Sequence, residues 1–306
     1  MSDRLQPIPG TAAAKLPNLV GQTIGDEVEQ YRLQKVIGRG SWGIVYLAHS
    51  LHHADKKYAV KCIANGEDVP DIVRETSAKE LENHFHCQLY IPGVLKIHTL
   101  LQDENRGVLF IVSEYCPDGD LLDMVLSKAF TGKDGHIRSA FCQILDTVEA
   151  MHEMGIYHRD LKPENILVKD GGLTFALGDF GFATEEETMT EFGMGSEPFM
   201  SPGMYSIVLG GLYGELTSYS AKDADIWALG VILMNLVCEC LPWRRASRDD
   251  RDFFNYVYRD MNFFFNNFPI SSELNDILKS IFTIRAEDRA SIKDIRRNVL
   301  AVKSFY

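Results

Sequence analysis

The sequence has no C-x-x-C pair and no zinc-ligand spacing; its six cysteines, at 62, 87, 116, 142, 238 and 240, are scattered. With no secretory leader in the first residues, they are expected to be reduced intracellular thiols of a cytoplasmic or nuclear protein, not a disulfide framework. A long hydrophobic run is also missing. The most apolar stretch, I-W-A-L-G-V-I-L-M-N-L-V-C at 226–238, is too short to span a bilayer and lies between Asp225 and Glu239. It reads as a buried helix, and no membrane association is expected. Basic residues are scarce, 31 against 43 acidic ones, for a formal charge of −12. That balance argues against broad nonspecific binding to nucleic acid, and it suits a positively charged peptide partner.

What is present has a clear polarity along the chain. At 306 residues it is long enough for two domains, or for one unit with two lobes. Residues 1–30 are rich in Pro, Gly and Ala and read as a flexible leader. From 31 to 63 the β-signals dominate, in Y-R-L-Q-K-V-I, I-V-Y-L-A-H and K-Y-A-V-K-C-I. A helix is expected at 71–90 and strands at 94–101 and 107–115. After C-P-D-G-D helical patterns take over, at 119–129, 136–154, 221–239, 250–259, 272–283 and 291–301, with short strands at 166–169 and 174–177. The expectation is an α+β fold of two lobes, strand-rich then helix-rich, with a cleft between them.

The segment I-G-R-G-S-W-G-I-V contains Gly38, Gly40, Gly43 and Val45 in a G-x-G-x-x-G-x-V pattern. Glycine lets backbone N–H groups approach phosphate oxygens without a Cβ in the way. In a dinucleotide-binding fold such glycines open a helix; here a further β-rich run follows, which favours a hairpin. Eighteen residues after Gly43, Y-A-V-K ends in Lys61. Behind a glycine hairpin its ammonium would point at bound phosphates and would need an acidic partner. The helix at 71–90 offers Glu80, which is favoured, and Glu82.

The densest cluster is H-R-D-L-K-P-E-N at 158–165, followed by L-G-D-F-G at 177–181, with Asp179 fourteen positions after Asn165. Two short β-runs joined by K-D-G-G would bring Asn165 and Asp179 back to one place, where both oxygens could hold Mg²⁺. Asp160 could then accept or orient the proton of an incoming hydroxyl, while Lys162 balances charge on a transferring phosphoryl group. Phosphoryl transfer needs positioning and charge neutralisation, and these residue types supply both.

Taken in order, G-x-G-x-x-G-x-V, A-V-K, H-R-D-L-K-P-E-N, D-F-G and D-I-W-A-L-G resemble the eukaryotic protein kinase family over residues of about 31–300. Lys162 resembles the Ser/Thr-specific form. The resemblance implies a kinase domain at 31–302, with an N-lobe over about 31–115 and a C-lobe over about 117–302, using ATP and Mg²⁺ on protein substrates. It implies that Val45, Ala59 and Leu167 sandwich the adenine, that Glu114 and Cys116 offer backbone hydrogen bonds to it, and that the small Ser113 guards the pocket behind it. His158 and Phe180 would be core spine residues, and Asp225 would anchor the catalytic loop. L-P-N-L-V-G, Y-C-P-D-G-D-L, G-G-L-Y-G-E-L-T-S-Y-S and P-I-S-S-E-L-N-D-I-L further resemble a fungal Ser/Thr subfamily. That subfamily includes a regulator restraining conjugation and meiosis, which implies nutrient or differentiation signalling.

One departure stands out. The family closes its activation segment with A-P-E or S-P-E, and here the residues are Ser201, Pro202 and Gly203. The missing glutamate usually pairs with an arginine, matched by Arg289, which would be rewired, hydrated or paired with Glu215. A weakened kinase or a binding-only pseudokinase is the alternative reading. Glu185, Glu186, Glu187 and Glu191 could stand in for a phosphate on Arg159, or Thr188 or Thr190 could be phosphorylated. Asp120, at a helix start, is either a simple cap or a contact for basic residues of a substrate.

Overall fold

In the computed structural model the described residues are 11–40, 43–53, 55–67, 69–205 and 217–306. The chain divides into two compact units, residues 1–79 with 95–117 and residues 80–94 with 118–306.

The first unit is built on an antiparallel sheet of β1 (Thr23–Gly25), β2 (Gln30–Arg39), β3 (Gly43–Ser50), β4 (Lys57–Ala64), β5 (Ile97–Asp103) and β6 (Val108–Glu114), in the order β1-β2-β3-β4-β6-β5. Period-two alternation decides which side chains form its core. In β4, Tyr58, Val60 and Cys62 turn inward to join Ile44, Tyr46, Phe110 and Val112. Ala59 and Lys61 therefore fall on the opposite face, where Lys61 pairs with Val45 and Ala59 with Ser113.

The expected flexible leader is corrected over its described part. Leu19 is 2% exposed, and its N–H donates to the Tyr46 hydroxyl (3.3 Å), which donates in turn to the carbonyl of Pro17 (3.2 Å). Strand β1 then pairs with β2, Thr23 against Arg32. The P-N-L-V-G segment is short but apolar, and β2 offers backbone groups that need partners. Both facts draw the segment into the sheet.

Helix α1 (Asp71–Tyr90) begins in the first unit, and its last turns belong to the second. The rest of the second unit is mainly helical: α2 (Leu121–Leu126), α3 (Asp134–Glu153), α4 (Ala221–Cys238), α5 (Arg251–Tyr258), α6 (Phe263–Asn267), α7 (Ser272–Ile281) and α8 (Ile292–Ala301). Helix α4 is the apolar run of the sequence. All of it except Lys222, Asp223 and Cys238 is buried, as expected of a helix that is hydrophobic on every side. Side-chain caps fix several starts, with Asp120, Ser220, Asp250, Ser271 and Ser291 each accepting a backbone N–H from the first turn. Two short antiparallel ribbons complete the unit: β7 (Ile166–Lys169) with β8 (Thr174–Leu177), and β9 (Thr188–Met189) with β10 (Tyr219–Ser220).

Candidate active site

The 158–165 cluster lies in an irregular loop whose backbone is held from below by α4. The two carboxylate oxygens of Asp225, itself 1% exposed, accept the N–H groups of His158 and Arg159, both at 2.8 Å. Two buried amides that would otherwise be orphaned are thereby satisfied, so Asp225 is the anchor of this loop. Arg159 sits at φ +64°, a left-handed conformation that non-glycine residues rarely adopt. His158 is fully buried. Its Nδ1 accepts from the Asp160 N–H (3.3 Å), which leaves Nε2 to donate to the carbonyl of Gly178 (3.1 Å). Its ring lies 5.3 Å from that of Phe180, which in turn lies 4.5 Å from His84 of α1. This is the buried stack expected of His158 and Phe180.

Asp160 is 4% exposed and its carboxylate is fixed from three directions. Lys162 Nζ donates to Oδ2 at 2.6 Å, Asn165 Nδ2 approaches the same oxygen at 3.3 Å, and the N–H of Ser196 donates to Oδ1 at 2.9 Å. Lys162 Nζ also donates to the Ser196 hydroxyl (2.8 Å), and Asn165 Nδ2 to the Asp160 carbonyl (2.9 Å). Ser196 was not among the residues singled out in the sequence. Its signal is the preceding glycine: Gly195 has φ +117°, and a Cβ there would lie 2.9 Å from the carbonyl of Arg159. Only glycine lets the segment come this close to the loop.

The β7–β8 ribbon forms as expected, Ile166 against Leu177 and Lys169 against Thr174, around a turn in which Asp170, Gly171 and Gly172 all have positive φ. At its open end the N–H of Gly178 donates to the carbonyl of Asn165 (2.9 Å), so Asn165 and the D-F-G segment are tied at one point. Asp179 has φ +58°. Glu80 Oε2 and Asp179 Oδ1 lie 3.5 and 3.6 Å from the position a Cβ on Gly181 would occupy. Glu80 therefore stands beside D-F-G, while Glu82 is exposed. Asp179 and Asn165 present the oxygen donors that suit Mg²⁺.

In the first unit the glycine segment is a hairpin between β2 and β3, with the Gly40 N–H donating to the Gly43 carbonyl at 3.0 Å. No helix follows it, which removes the dinucleotide-fold reading. A Cβ on Gly43 would lie 2.6 Å from the carbonyl of Cys62, so the close pairing with β4 requires glycine there. Gly38 pairs with Val45. Val45, Ala59, Lys61 and Ser113 share the face away from the core, and the Ser113 hydroxyl donates to the Ala59 carbonyl (3.2 Å). Glu114 closes β6, and Cys116 follows it, buried. Leu167 lies in β7 of the second unit.

Residues 31–300 match the family model described as the protein kinase domain. The chain belongs to the protein kinase family. A Schizosaccharomyces pombe protein named as a negative regulator of sexual conjugation and meiosis is 34% identical over 292 residues, 90% of this chain and 60% of that protein. The serine/threonine-protein kinase ksp1 of the same yeast is 34% identical over 285 residues, 89% of this chain and 56% of that protein. The chain thus spans somewhat over half the length of these two relatives, and the fungal Ser/Thr likeness read from its motifs is borne out.

Against the kinase pattern, the departures at the activation segment are resolved by substitution of partners. Arg289 Nη1 donates to the Asp223 carbonyl (2.6 Å), Nε and Nη2 donate to the Thr283 carbonyl (3.3 and 3.1 Å), and the guanidinium lies 5.2 Å from the centre of the Trp227 ring. Burial pushes this guanidinium down to about 10, still charged at neutral pH. Carbonyls and an aromatic face thus do the work of the lost glutamate; Glu215 lies outside the described residues. The acidic run is placed differently from the phosphate-mimic expectation. Among the described residues no carboxylate reaches Arg159, whose Nη2 donates to the Tyr219 hydroxyl (3.0 Å) and Nη1 to the Phe182 carbonyl (3.5 Å). Glu187 instead accepts from the Tyr157 hydroxyl at 3.3 Å. Asp120 caps α2 in a reciprocal box with Asp123. No helix among the described residues is long and apolar enough to cross a membrane.

Proposed function

We propose that this kinase domain, residues 31–302, transfers the γ-phosphate of ATP to serine and threonine hydroxyls of protein substrates. The observation that carries the reading is the Asp160 carboxylate, held by Lys162, Asn165 and Ser196 in one orientation beside a charged amine. A base fixed by three donors loses no rotamer freedom when a substrate hydroxyl arrives, and its proton can pass to an oriented oxygen. Lys162 shares that carboxylate and would balance charge on the transferring group.

Gly38, Gly40 and Gly43 would give their backbone to the phosphates, and Lys61, with Glu80 as its carboxylate, would position them. The place of Glu80 beside Gly181 supports it over Glu82. Val45, Ala59 and Leu167 would face the adenine, with Glu114 and Cys116 meeting its edge through their backbone. Asp179 and Asn165 would hold Mg²⁺, which when bound supplies neutralisation of phosphate charge. A preference for basic residues near the phosphoacceptor follows from the acidic charge, with Asp120 serving it beside its capping role. The proposed pathway is nutrient or differentiation signalling, and the name of the first relative, a negative regulator of sexual conjugation and meiosis, supports the differentiation part.

The test has two arms. ATP with Mg²⁺ should raise the melting temperature, and ATP with EDTA should do so much less. Transfer to a degenerate Ser/Thr peptide library should fall by about 10²–10⁴ in Asp160→Ala. Metal-independent binding together with undiminished transfer by the variant overturns the reading.

A further inference from the structure

Arg159 is 8% exposed and stands directly before Asp160 in the chain. A cation this deep is costly unless its donors are met. Among the described residues its partners are neutral, the Tyr219 hydroxyl and the Phe182 carbonyl, and Nε meets no acceptor. Tyr219 is also buried, and it is engaged on every side. Its backbone pairs with Met189 across the β9–β10 ribbon. Its ring lies 5.8 Å from that of Phe192. Its Cβ would be 3.3 Å from a Cβ on residue 203, tighter than an ordinary contact, so the glycine at 203 leaves the room that Tyr219 occupies.

Tyr219 therefore meets Arg159 of the catalytic loop through its hydroxyl, the ribbon at Met189 through its backbone, and the end of the activation segment at Gly203 through its Cβ, while Arg159 itself reaches Phe182 after D-F-G. We propose that Tyr219 is a positioning residue for phosphoryl transfer: its hydroxyl occupies Arg159 in place of an acidic group, so the activation segment is ordered without phosphorylation. Thr188 and Thr190 are both exposed, and the Tyr219 hydroxyl already takes one of the guanidinium donors that a phosphate on either would use. The substitution of glycine for glutamate at 203 is then part of the same device. This inference rests on the assignment of Asp160 as the residue that acts on the substrate hydroxyl.

The experiment uses the full chain made in bacteria, treated with phosphatase and shown phosphate-free by intact mass, with transfer measured on the peptide library. The wild type should turn over in this state, and Thr188→Val with Thr190→Val should stay within about twofold of it. Tyr219→Phe, which removes one oxygen, should lower kcat about tenfold or more while KM for ATP stays within about twofold. In an Arg159→Lys background the same change should have little further effect, because the hydroxyl acts through that guanidinium. A general loss of stability would instead lower kcat equally in both backgrounds, and that result overturns the proposal. So does a wild type that is inert until Thr188 or Thr190 is phosphorylated, an outcome that decides the matter even if Tyr219→Phe fails to fold. Retained activity in Asp160→Asn would sink the assignment of Asp160 and is read separately from either.

Discussion

The catalytic loop and the activation segment of this kinase domain are neighbours that are held in different ways. The loop at 158–165 is fastened mostly by its own motif, with His158, Lys162 and Asn165 all bonding to Asp160, and by a single buried carboxylate, Asp225. The segment from Phe182 to Tyr205 is fastened by contacts with residues far along the chain: Tyr219 paired with Met189, the Ala221 N–H on the Glu187 carbonyl, and Tyr157 paired with Thr184. The groups proposed to act at the substrate hydroxyl, Asp160, Lys162 and Asn165, are encoded within six positions. Groups that set the shape of the segment are spread over sixty positions and become neighbours only on folding.

The largest way to break this contrast is at Asp225. Asp225→Ala strands two buried N–H groups at about 1–3 kcal/mol each, so a loss of roughly 2–6 kcal/mol in denaturant unfolding is expected, with activity lost alongside. An intact loop in that variant would mean that the motif holds itself. Next comes Gly203→Glu, which restores the usual family residue. Because Arg289 is already satisfied and Tyr219 fills the space, this change should lower kcat and lower stability by about 1–3 kcal/mol, the usual cost of overpacking. Gly203→Ala should follow the same direction more weakly. A gain in stability with glutamate would show that Arg289 still wants a carboxylate.

A pH titration sharpens the contrast further. Burial, and then the nearby Glu197, raises the Tyr205 phenol above its ordinary value of 10. An acid whose folded value is raised contributes stability that is complete below pH 10 and lost as pH climbs above it, because the unfolded phenol ionises first. Melting temperature should therefore fall beyond pH 10, and Tyr205→Phe should flatten that fall. The variant also loses the hydrogen bond to the Glu197 carbonyl, about 1 kcal/mol at neutral pH. The smallest effect is expected from Tyr157→Phe, which removes a part-buried bond to Glu187, at about 0.5–1 kcal/mol.

These differences also explain what could be read before folding. The alternation in K-Y-A-V-K-C-I places Lys61 and Ala59 on one face without any tertiary information, and the K-D-G-G turn predicts the ribbon that returns D-F-G to Asn165. Helix α1 at 71–90 and the apolar α4 follow from composition and periodicity. Helix α6, only five residues of F-F-F-N-N, escapes because so short an aromatic run carries no helical period. Tyr219 escapes for another reason. In T-S-Y-S it is one aromatic among hydroxyls, whereas the acids at 185–187 carry the charge that an arginine would be expected to meet. Ser196 escapes because G-M-G-S shows only a hydroxyl after a glycine; the approach to Arg159 that requires Gly195 exists only once the chain has folded.

The docked segment before residue 31 has a practical corollary. A fragment trimmed to the start of the family match would strip away β1 and the Pro17–Leu19 contacts, baring the outer side of β2 along with the Tyr46 hydroxyl. An open strand with unmet amides is a template for another chain, so such a fragment should self-associate, whereas one that begins before Leu16 should stay dispersed.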